Sequence, residues 1–132
     1  MKLVIAAMLT CLTLANAAAQ PGEQAPRPRR GPAIEAMIEG SGDESLRQFI
    51  ETQVAPEYRA RFAPGALEDH LRAIRAACRN FDGILADRAG EDGTRLMFLH
   101  GSNETPVLFR VQQVAPYQII ELTLEPSRPG RA

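Results

Sequence analysis

Apolar side chains recur along this chain with two different periods, and the switch between them separates a helical half from a β half. Leu46, Phe49, Ile50 and Val54, with Gln53 beside them, fall on one face of a helix over Asp43 to Val54. Ser41 or Asp43 is the expected cap, and Asp43 and Glu44 suit the positive end of the helix dipole. Pro56 stops this helix and opens a second, short one over Pro56 to Phe62, with Tyr58 and Phe62 on one face. After the Pro64-Gly65 turn, Leu67, Leu71, Ile74 and Cys78 repeat at helical spacing and predict a third helix over Ala66 to Arg79.

Beyond Asn80 the period is two. Gly83 to Ala89, Thr94 to His100, Pro106 to Val114 and Tyr117 to Glu125 read as four strands. Gly90 to Gly93, Gly101 to Thr105 and Ala115-Pro116 are the connections. Val107, Phe109 and Val111 share one face of the third strand; Ile120, Leu122 and Leu124 share one face of the fourth. Short connections imply an antiparallel meander, and helices followed by strands imply an α+β domain with the helices on one face of the sheet. The single folded domain is thus expected over residues 43–125, with a disordered tail at 126–132.

The segment before it reads differently. Gln20 to Pro32 carries four prolines, two glycines and three arginines, a composition that does not bury enough apolar surface to order itself. Ile34, Met37 and Ile38 make a weak helical turn before Gly40, Ser41 and Gly42. Residues 20–42 are therefore expected to be a disordered linker. Arg27-Pro28-Arg29-Arg30 has the form of a basic processing site, and a solvated tether is the preferred reading. Further upstream, Lys2, the apolar run Leu3 to Leu14 and the small residues Ala15 to Ala19 have the layout of a secretory signal peptide. Twelve apolar residues reach about 18 Å as a helix, short of the roughly 30 Å of a bilayer core. Cleavage is expected after Ala17 or Ala19, giving an exported protein, periplasmic or secreted, with no membrane span.

Composition then narrows the chemistry. Lys2 is the only lysine, so the processed chain has fourteen arginines against sixteen acids, with no basic footprint for nucleic acid. Its one cysteine, Cys78, lies on the apolar stripe and is expected to be a free, buried thiol rather than a nucleophile or a dimer link. Neither Ser-x-x-Lys nor a nucleophile elbow is present, since His100-Gly101-Ser102-Asn103-Glu104 has the wrong spacing. No metal-ligand spacing is found; His100 with Glu104 is too sparse. No cofactor is expected. His70 sits at the edge of the helical stripe as a candidate general base, or as a boundary histidine bonded to backbone or water. Tyr58 and Tyr117 are candidate hydroxyl donors, or packing residues with a wet tip.

The run Ala55-Pro56-Glu57-Tyr58-Arg59, then Leu71-Arg72-Ala73-Ile74-Arg75, then Phe81-Asp82-Gly83 and a four-strand meander resembles a small accessory domain of exported bacterial proteins. That domain is often found beside serine hydrolases of the β-lactamase-related or tail-specific protease type. Its shape is similar to the cystatin-like cone of the nuclear transport factor two superfamily. The resemblance implies no catalytic residues, and an exported hydrolase as a partner. It also implies a rival, since cone-fold isomerases and cyclases place an acid or histidine base and a tyrosine in one pocket. Three readings follow. The first is a non-enzymatic module, monomer or dimer, holding a small apolar molecule or a protein in a helix–sheet cleft. The second is a cone-fold enzyme using His70 and a tyrosine. The third is a module that self-associates through its fourth strand, Ile119 to Leu124. Convergence of His70, Tyr58 and Tyr117 on an open pocket would favour the enzyme. A cleft filled by Phe49, Phe62, Leu71 and Phe109 would disfavour it.

Overall fold

The computed structural model describes residues 29–129. The proposed leader and most of the Pro-rich segment lie outside the described residues, as do residues 130–132. Four helices precede the strands: α1 (Gly31–Glu39), α2 (Asp43–Gln53), α3 (Pro56–Arg59) and α4 (Ala66–Cys78). Five strands follow: β1 (Gly83–Ala89), β2 (Gly93–His100), β3 (Asn103–Val111), β4 (Ile119–Leu124) and the two-residue β5 (Arg128–Pro129). They form one antiparallel sheet in the order β1-β2-β3-β4, with β5 also pairing β3. The expected α+β architecture is the observed one.

The apolar stripe of α4 is buried throughout, from Leu67 through Leu71 and Ile74 to Cys78. It meets Leu46, Phe49 and Ile50 of α2 and the inner face of the sheet, where Leu96, Phe98, Val107, Phe109 and Leu122 point. Phe98 lies between Ile84 of β1 and Thr105 of β3 in the register, at the centre of the core.

Five expectations need correction. The linker was expected to run to Gly42, yet Gly31–Glu39 is a helix with Ile34, Met37 and Ile38 buried in the same core. Pro32 fits its first turn, where a missing N–H costs no helical bond. Its far end is held by Arg75 of α4, which donates to Met37 O (2.9 Å), Gly42 O (3.0 Å) and Ser45 Oγ (2.7 Å). A Cβ at Gly40 would crowd Ala36 O of α1 at 3.3 Å and only touch Arg75 at 3.5 Å, an ordinary contact distance.

Second, neither Ser41 nor Asp43 caps α2. Gly42 takes that place with φ 80°, and Ser45 Oγ reaches back to the Ser41 and Gly42 carbonyls. Third, the helix expected to reach Phe62 stops at Arg59, and Phe62 packs from the turn beyond it. Fourth, the third strand begins at Asn103 and ends at Val111. A register shift beside Arg110 and Val111 makes Ile120 the extra residue of β4, so Ile119 rather than Ile120 enters the core. Fifth, the tail is ordered through Pro129. Glu125 N donates to Pro106 O at 2.9 Å, but proline has no N–H to return, and the regular pairing of β4 ends at Leu124.

Candidate functional site

Tyr58 and His70 do come together, but on the backbone of β4 rather than around a cavity. The Tyr58 hydroxyl donates to Leu122 O at 3.0 Å and accepts from Leu122 N at 3.3 Å. His70 Nε2 stands 2.6 Å from the same carbonyl, which accepts only, so this nitrogen carries the proton and donates. Phe62 lies between the two rings, 5.1 Å from Tyr58 and 5.7 Å from His70. Burial raises the Tyr58 pKa above its ordinary value, against the opposing bond to Leu122. Both polar tips are therefore spent on the outer edge of β4. Ala55 N bonds Ile119 O at 2.8 Å along the same edge, so the strand expected to pair with a second copy is already engaged by the helical layer.

Tyr117 lies in the β3–β4 connection, with φ 56° after a cis Ala115-Pro116 bond. Its carbonyl accepts from Arg30. Tyr58 borders a surface groove with Arg61, Arg110 and Ile120, and neither His70 nor Tyr117 lines that groove. Phe49, Leu71 and Phe109 are buried on this side, and Phe62 packs against the core they belong to, the arrangement that disfavours the enzyme reading. His100 and Glu104 point to opposite faces of the sheet, because Glu104 pairs with Leu99, one residue from His100. Glu104 meets Arg128 at 3.4 Å. Among the described residues no group of three metal-capable side chains occurs, and no helix is long and apolar enough to cross a membrane.

Cys78 is completely buried, and burial pushes its thiol up to about 12. A thiol-reactive reagent is expected to leave Cys78 unmodified in the folded protein and to label it in denaturant. Rapid labelling of the native protein would remove it from the core. The folded thiol keeps its proton where an unfolded one, with an ordinary value of 9.0, loses it. Stability contributed by this group is therefore complete below pH 9.0 and declines as the pH rises above it.

A different site is open. The helical layer is narrower than the sheet: α3 rests on β4 and α4 on β3. No residue of β1 is fully buried, and Leu85 on its outer face is 50% exposed. On the inner face this leaves an apolar floor made by Ile84, Ala86, Leu96, Phe109 and Val111, with Thr94 among them. The first turn of α1 overhangs the floor and supplies the wall: Arg29, Arg30, Pro32 and Glu35. The space between is a groove of about 490 Å³, within the usual range for small-ligand sites.

Arg30 fixes that wall. Its guanidinium donates to Tyr117 O (2.9 Å), Gln53 Oε1 (2.6 Å) and Pro116 O (2.7 Å), tying the start of α1 to α2 and to the β3–β4 connection. Burial lowers the Arg30 pKa, and the group nonetheless stays charged. The residues that shape the groove are thus ones the sequence reading assigned to a tether. The available signal was the spacing of Ile34, Met37 and Ile38 directly after Pro32, a helix start followed by one apolar face. No protein-family model, curated protein or solved structure matches this chain.

Proposed function

We propose that this domain is an exported, non-enzymatic binding module that holds a small molecule with an apolar body in the groove between α1 and the β1–β2 corner of the sheet. One observation carries the reading: α2 and α4 pack on the inner face of the sheet, yet beside them Ile84, Ala86 and Val111 stay partly or fully exposed, over the buried Leu96 and Phe109, around a space of about 490 Å³. Exposed apolar concavities with a polar rim are where ligands lower their free energy most by leaving water. The commitment of Tyr58 and His70 to Leu122 supports a binding module over acid–base catalysis. The leader-like segment from Lys2 to Ala19 supports export, and the resemblance to accessory domains of exported proteins agrees with it.

The test uses the protein recovered from the exported fraction, whose mass reports removal of the leader. N-phenyl-1-naphthylamine, a neutral apolar fluorophore, is titrated against it. Ala86 is an exposed floor residue, so Ala86→Trp fills the groove without entering the core. The expected result is saturable binding that weakens at least about tenfold in Ala86→Trp, since losing burial of a ring-sized apolar area is worth about 1.5–3 kcal/mol. Equal binding by both proteins removes the groove from consideration. A mass retaining residues 1–19 removes processing at the predicted sites.

A further inference from the structure

The groove is not electrically neutral, and its charge specifies more about the occupant than its apolar floor does. Arg29 is exposed at the rim and makes no ion pair among the described residues. Arg30 is satisfied sterically but not electrostatically: its three acceptors are two peptide carbonyls and an amide oxygen, and no carboxylate faces it. Arg72, Arg95, Arg110 and Arg128 are each paired with an acid, while the other described arginines, Arg29 and Arg30 among them, make no ion pair among the described residues; what sets these two apart is that both line the apolar groove. Glu35 is the single acid lining the groove, which leaves two cations against one anion at the α1 end. The floor at the other side contributes no charge.

We infer that the ligand is a free amphipathic carboxylate, a fatty-acid-like monoanion whose apolar chain lies on Ile84, Leu96, Phe109 and Val111 and whose head meets Arg29 and Arg30. The inference rests on the binding reading above and deepens it. Arg30 keeps its three internal bonds and contributes its charge, while the exposed Arg29 has its guanidinium available to bond the head group. A guanidinium presents paired donors that match the two oxygens of a carboxylate, a geometry that an alcohol or an amine does not satisfy. One net positive charge balances a carboxylate at neutral pH, whereas a phosphate monoester carries close to two negative charges.

Competition experiments against bound N-phenyl-1-naphthylamine separate the possibilities. Decanoate, decanol and decylamine have the same chain and differ in head group. Decanoate is expected to displace the probe about five- to tenfold more tightly than decanol, and decylamine more weakly than either. Arg29→Glu leaves every bond of Arg30 in place, so the fold is retained. It is expected to erase the advantage of decanoate while leaving decanol unchanged, and raising the salt concentration on the unsubstituted protein is expected to narrow the same gap. A decanoate preference that survives Arg29→Glu, or equal displacement by decanoate and decanol, overturns the carboxylate assignment and leaves the groove itself standing. Absence of probe binding in the unsubstituted protein overturns the groove reading, and this inference with it.

Discussion

Replacing Arg75 with alanine is expected to destabilise the domain by about 3–5 kcal/mol, read as a lower urea midpoint at unchanged slope. The reason is the number of groups that depend on one side chain. Arg75 is 6% exposed and bonds Met37 O, Gly42 O and Ser45 Oγ. Met37 O, in the last turn of α1, has no helical N–H to accept, whereas Gly42 O, at the cap of α2, also accepts from Ser45 Oγ. Removing the guanidinium leaves Met37 O unpaired beside the core, at roughly 1–3 kcal/mol, and also loses the charge-assisted bonds to Gly42 O and Ser45 Oγ. The arginine is itself held unfavourably. Burial lowers its pKa first, Arg79 and Arg72 add repulsion, and only Asp43 acts in the opposite direction. Arg75→Met, which keeps the stem and removes the charge, is therefore expected to recover part of the loss through packing. If Arg75→Ala shifts the midpoint by less than about 1 kcal/mol, the bolting of α1 to α4 is not a source of stability.

The second large effect concerns a residue in the segment read as linker. Ile34→Asp is expected to cost about 4–5 kcal/mol, because Ile34 is completely buried among core side chains and a carboxylate there loses its hydration. The loss is expected to have a spatial signature. Amide hydrogens of α1 should exchange early, while those of Phe98 and its β1 and β3 neighbours exchange last in whatever folded population remains. Probe binding should also fail, because the first turn of α1 is the wall of the groove. A fully stable Ile34→Asp variant would show that residues 31–39 do not belong to the domain.

The parts of this fold that local pattern could reveal were legible in the sequence. The stripe Leu67-Leu71-Ile74-Cys78 gave α4 to within a residue, and Gly83–Ala89 matches β1. Period and punctuation are local quantities, and both elements are set by local quantities. What was not legible depends on partners far away in the chain. Three apolar residues in α1 say little alone, and they become a helix of the core because Arg75 lies 38 positions on and Arg30 meets residues 86 and 87 positions on. Ile119 and Ile120 are equally apolar, and the choice between them is made by an irregularity in pairing with β3 that neither residue announces. The candidate site failed for the same reason. The pattern places His70 at the edge of an apolar stripe and Tyr58 on one face with Phe62, but it does not show that the Tyr58 hydroxyl is buried or that a single peptide unit, Leu122, takes both. The groove belongs to a sheet corner that the helices do not reach, a property of widths and angles rather than of spacing.

The bonds at Leu122 also give the sheet a polarity. Peptide groups on the β4 border are taken by Ala55, Tyr58 and His70, whereas β1 pairs with β2 alone. A sheet with two open borders can add copies without end, and a fibre is the limiting product. A sheet with one open border cannot. Two copies joined β1 to β1 would turn outward the β4 borders, where Ala55, Tyr58 and His70 already hold Ile119 and Leu122. The tyrosine and the histidine that stood as candidate chemistry thus cover peptide groups of the β4 border, while β1 keeps a border that no helix covers in this way.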